Sequence, residues 1–298
     1  MRIGFIGCVE SSYRILEALV GSASSNIEVV AVVTRATSNV NSDFVDLAPF
    51  CEEHGIPYHY EESGKRNASL QFFKNYQLDI IYCFGWSYLL NKEMLNVAPL
   101  GAIGFHPAPL PIGRGRHPII WSIALGLKST AVTFFRLDEG ADTGPIISQT
   151  PVDISEKDSA ETLYNKILEI ATVQVIGFTE ALANGNAKSI PQDELHSTYW
   201  RKRSRADGMI DWRMNAGDIH NLIRALSAPY PGAEFMYLGK PISVWKSEIS
   251  DSDYPRHFES GRVLKIDSSK YLIKCGGTSA IWLIDIELPE TVTAGDYL

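Results

Sequence analysis

The chain is short of positive charge, of paired cysteines and of long apolar runs, and each shortage removes a class of function. Lysine and arginine number 27 against 35 aspartates and glutamates, a formal net charge of −8. A protein that tracks a nucleic-acid backbone needs an extended basic stripe. The only dense basic cluster here is Arg201, Lys202, Arg203 and Arg205, so a nucleic-acid partner is not expected. No run of about 18 apolar residues exists, and no membrane-spanning helix is expected. The opening MRIGFIGCVE has neither the apolar core nor the cleavage site of a secretory signal and reads as a first buried strand. The four cysteines, Cys8, Cys51, Cys83 and Cys275, do not stand at metal-ligand spacing. They read as reduced structural residues of a cytoplasmic protein, and no metal site is expected. The first turn, GFIGCVESSYR, lacks a complete G-x-G-x-x-G and an acidic residue placed for a ribose, which argues against a nicotinamide cofactor. Internal repeats and low-complexity tracts are also missing.

What is present is an alternation of strands and helices. The 298 residues, 45% hydrophobic, can bury one large core or a core with a satellite. Residues 2–8, 27–34 and 57–60, then LDIIYCFG and GAIGFHP, read as strands; IEVVAVVT is apolar enough to be buried on both faces. Helices are expected over about Ser11–Gly21, Asn41–Gly55 and Ser69–Tyr76, and in NKEMLNVA. The pattern predicts an α/β fold, an open and mostly parallel Rossmann-like sheet with helices on both faces. Residues 129–138 and 145–153 read as a strand pair, followed by a helix over about Ser159–Ala183 with Leu163, Ile167, Ile170 and Val173 or Val175 on one stripe. Residues 187–208 are polar and aperiodic and read as a linker. After Gly208 comes a helix over about Ala216–Ser227, then short alternating strands, which suggest a small barrel or curled sheet. The expected domains are therefore 1–186, an N-terminal catalytic domain, and 209–298, a small β domain whose strand edges are compatible with a homodimer.

The segment Gly101–Trp121, GAIGFHPAPLPIGRGRHPIIW, carries the candidate chemistry. His106 falls at the carboxyl end of a strand, where open α/β sheets bind ligands, and an imidazole can act as acid or base near neutral pH. Asp142 lies among small residues in GADTG, a loop that lets backbone approach a ligand, and a carboxylate near an imidazole would orient it. Arg114 is a candidate for ordering the loop or for holding substrate through its planar fork. Arg116 is divided evenly between ligand contact and surface charge, and His117 reads as a helix-start residue. FGWSYLL, from Phe84 to Leu90, could form a slot for a flat ring, or it could be ordinary core and rim aromatics. The Arg201–Arg205 knot could meet the phosphates of a substrate or be a solvated segment.

HPAPLPIGRG resembles the H-x-S-L-L-P-x-Y-R-G loop of the 10-formyltetrahydrofolate-dependent formyltransferases, and GADTG resembles that family's aspartate loop. DGMIDWRMNAGDIHNLIRALSAPYPGAEF is similar to the start of the C-terminal domain shared by methionyl-tRNA formyltransferase and nucleotide-sugar N-formyltransferases. The resemblance covers nearly the whole chain. It implies an OB-like barrel as the second domain and direct formyl transfer, without metal, from 10-formyltetrahydrofolate to an amine. It assigns His106 and Asp142 to catalysis. Phe84, Gly85, Trp86, Tyr88, Leu89, Gly140 and Ala141 would contact the folate. Arg114, Gly115, Arg201 and Arg203 would contact the second substrate. The family pattern is N-x-H, whereas this chain reads Gly104-Phe105-His106. Glycine supplies no side-chain donor to an oxyanion. Another group is expected to replace it; the alternatives are a slow enzyme or a chain that binds without formylating. Residues 34–50, TRATSNVNSDFVDLAPF, lack the basic insertion of the tRNA enzymes. The implied substrate is thus a nucleotide-linked amino sugar of surface-polysaccharide (lipopolysaccharide) synthesis, the aminoarabinose-modifying enzymes being the nearest type. Methionyl-tRNA formyltransferase and a non-catalytic folate or nucleotide-sugar binding protein are the alternatives.

Overall fold

The computed structural model describes the chain except for residues 39–41, 63–65, 229, 285, 287 and 289–291. In chain order the elements are β1 (Arg2–Ile6), α1 (Glu10–Val20), β2 (Glu28–Thr34), α2 (Ala48–Glu53), β3 (Tyr58–Tyr60), α3 (Arg66–Lys74), β4 (Ile80–Cys83), α4 (Lys92–Leu95), β5 (Ala102–His106), β6 (Arg114–Gly115), α5 (Pro118–Ala124), β7 (Ser129–Arg136), β8 (Ile146–Asp153) and α6 (Ala160–Ala183). They continue with β9 (Tyr199–Trp200), α7 (Ala216–Ala225), β10 (Ala233–Tyr237), β11 (Lys240–Val244), β12 (Lys246–Ile249), β13 (Val263–Asp267), β14 (Lys270–Lys274) and β15 (Ala280–Ile284). Among the described residues no helix is long and apolar enough to cross a membrane.

The chain divides into two compact units. The first holds Met1–Pro118, Thr130–Val152 and Asn165–Trp200; the second holds Ile119–Ser129, Asp153–Tyr164 and Arg201–Leu298. The segment read as a linker is therefore shared: through Trp200 it belongs to the first unit, and from Arg201 to the second.

The first unit is built on a seven-stranded sheet in the order β3-β2-β1-β4-β5-β7-β8. β3, β2, β1, β4 and β5 run parallel, and β7 is antiparallel to β5. The mostly parallel sheet expected from the alternation is present. β2 is buried at six of its seven positions, as a strand covered on both faces must be. One face packs Val30, Leu70, Phe73, Ile81, Met94 and Leu95. Elsewhere Phe84, Phe134 and Phe178 form an aromatic core, with centroids 5.4 Å apart for Phe84–Phe134 and 4.8 Å for Phe134–Phe178.

One expected helix is corrected, and a second is present with its open choice of valine decided. The helix predicted over Asn41–Gly55 is a helix only from Ala48; Pro49 in its first turn fits a helix start there, because proline has no N–H to give to a preceding turn. The Asn41 end of that prediction lies outside the described residues. On α6 the buried stripe is Leu163, Ile167, Leu168, Ala171, Val175 and Phe178, while Val173 is 74% exposed. Of the two valines offered, Val175 is the one with the core-facing phase.

The second unit contains a four-stranded antiparallel sheet in the order β12-β15-β14-β13, an antiparallel β10-β11 ribbon and the amphipathic α7. Asn215 caps α7 by accepting from Asp218 N at 2.9 Å. The helix buries Ile219, Leu222 and Ile223. Its other side carries His220, whose Nδ1 lies 2.9 Å from Ser247 Oγ. Burial first, and then the Arg224 charge, hold the His220 pKa below its ordinary 6.5. The unfolded chain therefore takes up this proton more readily than the folded one. The group's contribution to stability is complete above its unfolded value and is lost as pH falls through that region. The expected result is a denaturation midpoint that drops between about pH 7.5 and about pH 5.5, and drops less in His220→Asn. Equal slopes in the two proteins would refute the assignment.

Candidate active site

His106 closes β5, and the antiparallel register sets it opposite Thr133 of β7. The residue is buried, 5% exposed. Nε2 lies 2.8 Å from the carbonyl oxygen of Gly113. A carbonyl only accepts, so the ring donates from Nε2, and Nδ1 is the basic nitrogen of a neutral imidazole. Nδ1 faces Asp142 Oδ2 at 3.6 Å, beyond hydrogen-bond range but close enough for charge to matter.

Asp142 is held on a turn that Asp138 organises. The Asp138 carboxylate accepts from Gly140 N at 3.0 Å and from Thr143 Oγ1 at 2.6 Å. Asp142 itself sits at φ +60°, a left-handed conformation that aspartate tolerates better than most residues. Its Oδ2 accepts from Gly115 N at 2.8 Å, which joins the aspartate loop to the histidine loop. The two residues expected to carry catalysis are thus brought together.

The segment that locks this arrangement is one that reads in the sequence as linker. β9 pairs in parallel with β6, setting Arg114 beside Tyr199 and Gly115 beside Trp200. A Cβ on Gly115 would stand 2.4 Å from Trp200 O, and the residue has φ +105°, so only glycine fits there. Thr198 Oγ1 accepts from Gly113 N at 2.8 Å. Gln192 donates from Nε2 to Asp142 O at 2.9 Å and Gly144 O at 2.7 Å. Its Oε1 accepts from Arg114 Nε at 3.1 Å and Nη2 at 2.9 Å.

Arg114 has no exposed surface. Its five N–H donors go to Gln192, to both oxygens of Glu194 and to the Tyr199 hydroxyl. Hydrogen bonding to Glu194 holds its pKa above the ordinary guanidinium value. Of the two roles offered for Arg114, the geometry gives loop ordering; the role of substrate ligand is corrected, because no donor is left over. Gln192, Glu194, Thr198 and Tyr199 were missed. They carry no periodicity, and they act on partners about 80 residues away.

The aromatic segment divides. Phe84 is fully buried, its ring edge-on to Phe5 at 5.6 Å and Phe134 at 5.4 Å, so the expectation of a ligand-facing ring there is corrected: it is core. Gly85 packs against Val9 and Ser12 at the first turn. Trp86 and Tyr88 are half-buried, with centroids 6.3 Å apart, and Leu89 is exposed. Gly140 is half-buried and Ala141 exposed on the aspartate loop. Arg35, which follows β2 and which the sequence reading passed over, lies over both rings, 5.6 Å from the Trp86 centroid and 5.0 Å from that of Tyr88.

Gly104 is directly opposite Phe135 in the β5–β7 register. A Cβ at Gly104 would meet Leu137 Cδ2 at 2.6 Å and Phe135 Cζ at 3.0 Å. The space beside a side chain at this position is filled by hydrocarbon, and no polar donor stands among those nearest atoms.

In the second unit, Arg201 is ion-paired with Asp207, and Arg205 pairs with Glu234 at 2.8 Å. That pairing to Arg201 holds the Asp207 carboxyl well below the usual range. Arg203 lies over the Trp121 ring at 4.7 Å and donates to Asp207 O at 2.6 Å. Two of the four cations of the basic knot, Arg201 and Arg205, are thus paired with carboxylates.

A family model described as "Formyl transferase" matches residues 1–179, and one described as "Formyl transferase, C-terminal domain" matches residues 202–298. Among solved structures the chain is similar to WlaRD, a sugar 3N-formyl transferase crystallised in the presence of dTDP and 5-N-formyl-THF. That match has TM-score 0.74 and 18% identity, covering 95% of this chain and 97% of the other. It is also similar to an N-formyltransferase from Helicobacter canadensis in complex with folinic acid and dTDP-3-aminofucose, with TM-score 0.72 and 17% identity over 95% and 98% of the two chains. A methionyl-tRNA formyltransferase from Clostridium thermocellum matches with TM-score 0.59 and 20% identity over 83% and 93%.

Proposed function

The chain belongs to the formyl transferase family, and from that premise we propose that it transfers a formyl group from 10-formyltetrahydrofolate to the amine of a nucleotide-activated amino sugar. The observation that carries the reading is the His106–Asp142 pair, with a basic nitrogen facing a carboxylate at 3.6 Å and side chains only 7% and 20% exposed. The substrate amine attacks the formyl carbon, a tetrahedral oxyanion forms, and the bond from carbon to N10 of the folate breaks. The amine loses a proton and N10 gains one. His106 Nδ1 is the group that takes the first proton and can return it to N10. The Asp142 carboxylate then faces an imidazolium, so proton uptake creates an ion pair in place of a lone charge. Trp86, Tyr88, Leu89, Gly140 and Ala141 would form the folate edge, with Gly115 beside the second substrate.

The sugar substrate is supported by two features. Both sugar enzymes above match over nearly their full lengths, and their structures were obtained with dTDP or a dTDP-linked amino sugar. The net charge of −8, with Arg201 and Arg205 already ion-paired, is ill suited to a tRNA. A cytoplasmic step in surface-polysaccharide synthesis is the setting that goes with this reading. A second reading, binding without transfer, draws on the hydrocarbon around Gly104. The deciding experiment supplies 10-formyltetrahydrofolate with dTDP-3-aminofucose, UDP-aminoarabinose and methionyl-tRNA in turn and follows product mass. The expected result is the gain of one CO unit on a sugar nucleotide alone. Gain on the tRNA, or binding of a sugar nucleotide and folate with no product, would replace the proposal.

A further inference from the structure

Two arginines in the first unit have no role in the chemistry above, and they meet at one turn. Arg35 leaves the carboxyl end of β2 and lies over the Trp86 and Tyr88 rings. Arg116 leaves β6 and donates from Nη1 to the carbonyl of Ser87, between those two aromatics, at 3.3 Å. Trp86, Ser87 and Tyr88 span at most about 7 Å between end Cα atoms, so both cations touch one short stretch of chain. The place matters. The turn follows β4, and in the order β3-β2-β1-β4-β5 the direction of winding reverses beside β1, where open α/β sheets receive ligands.

Neither arginine is neutralised. Among the described residues no carboxylate pairs with Arg35 or Arg116, although Arg2, Arg14, Arg114, Arg201, Arg205 and Arg213 each have one. Arg35 Nε is buried with no hydrogen-bond partner among the described residues, and Nη1 donates to the Tyr88 hydroxyl at a long 3.5 Å. A buried donor without an acceptor is costly to maintain. Stacking on aromatic faces orients a guanidinium while leaving its in-plane N–H edge open. That edge fits a planar or tetrahedral oxyanion in two-pronged fashion.

We infer that Arg35 and Arg116, both in contact with the Trp86–Tyr88 turn, form an anion subsite that holds a phosphate or carboxylate group of one of the two substrates. This rests on the formyl-transfer reading for the identity of those substrates. The anion comes either from the diphosphate of the sugar nucleotide or from the glutamate tail of the folate.

The test is calorimetric binding of dTDP, inorganic pyrophosphate and 5-formyltetrahydrofolate to the native chain, Arg35→Ala, Arg35→Lys and Arg116→Ala. Each variant is checked for native thermal unfolding. Loss of one charge-assisted hydrogen bond should weaken the relevant probe about 10- to 150-fold in both alanine variants. Arg35→Lys should recover only part of that, because an ammonium neither stacks as a plane nor binds in two prongs. Weakening of dTDP and pyrophosphate identifies a diphosphate; weakening of the formylfolate alone identifies a carboxylate; either supports the subsite. If the native chain binds dTDP or the folate and both alanine variants bind them equally well, the subsite is refuted while the formyl-transfer reading stands. If the native chain binds none of the three probes, both are refuted.

Discussion

His106→Ala should lower kcat for formyl transfer by about 10²- to 10⁴-fold, the range expected for loss of a positioned proton acceptor. The effect should fall on kcat more than on KM, because Nδ1 acts when charge develops and not when substrate docks. Alanine also removes the donor to Gly113 O, leaving a buried carbonyl unsatisfied at about 1–3 kcal/mol. His106→Gln separates the two effects. Its amide can still donate toward Gly113 O, so the loop should persist, but it has no basic nitrogen and should be as slow as alanine. Asp142→Asn is the companion measurement. Asparagine tolerates φ +60° and can accept from Gly115 N, so the fold should be kept while the charge facing Nδ1 is lost. A His106→Gln enzyme with native kcat would show that Nδ1 takes no proton in the rate-limiting step.

The same loops show what a sequence can and cannot disclose. The two loops that meet at His106 and Asp142 were legible because each is a short segment rich in glycine and proline beside a clear apolar strand. Such local texture marks a place where backbone must turn tightly near a ligand. Buried strands such as β2 were legible for a related reason: an unbroken β-branched run has few other places to go. The clamp over residues 190–200 was not legible. Its work is done by Gln192, Glu194, Thr198 and Tyr199 through hydrogen bonds to residues about 50 to 85 positions away, and polar side chains leave no periodic trace. Phe84 failed in the opposite way. An aromatic just past a strand reads equally as rim or core, and only the neighbouring Phe5 and Phe134 rings decide it. Arg35 stands alone in sequence, and its meaning comes from rings more than 50 residues further along.

Restoring the family asparagine should fail on its own. In Gly104→Asn the new side chain must displace Leu137 and the Phe135 ring, and overpacking of this kind costs about 1–3 kcal/mol. Phe135 is 2% exposed and lies opposite Gly104 across the β5–β7 pair, so glycine and ring act as one unit: the aromatic covers the backbone that the missing side chain leaves bare. The single variant should therefore unfold at lower temperature and turn over no faster than the native enzyme. Phe135→Ala alone opens a cavity, at about 3–5 kcal/mol. Combining the two should be less damaging than their sum, because the asparagine occupies the space the ring vacates. The coupling should be about 0.5–3 kcal/mol, as found for residues in contact. Rate is the sharper readout. Residue 104 projects on the same face of β5 as His106, two positions away. If transfer is held back by the lack of a donor there, adding asparagine to the Phe135→Ala background should raise kcat over that background, up to the roughly 10²- to 10³-fold that one oxyanion donor supplies. A single Gly104→Asn enzyme that is both as stable as the native chain and faster would overturn the coupling, and would mean that the hydrocarbon beside Gly104 yields freely.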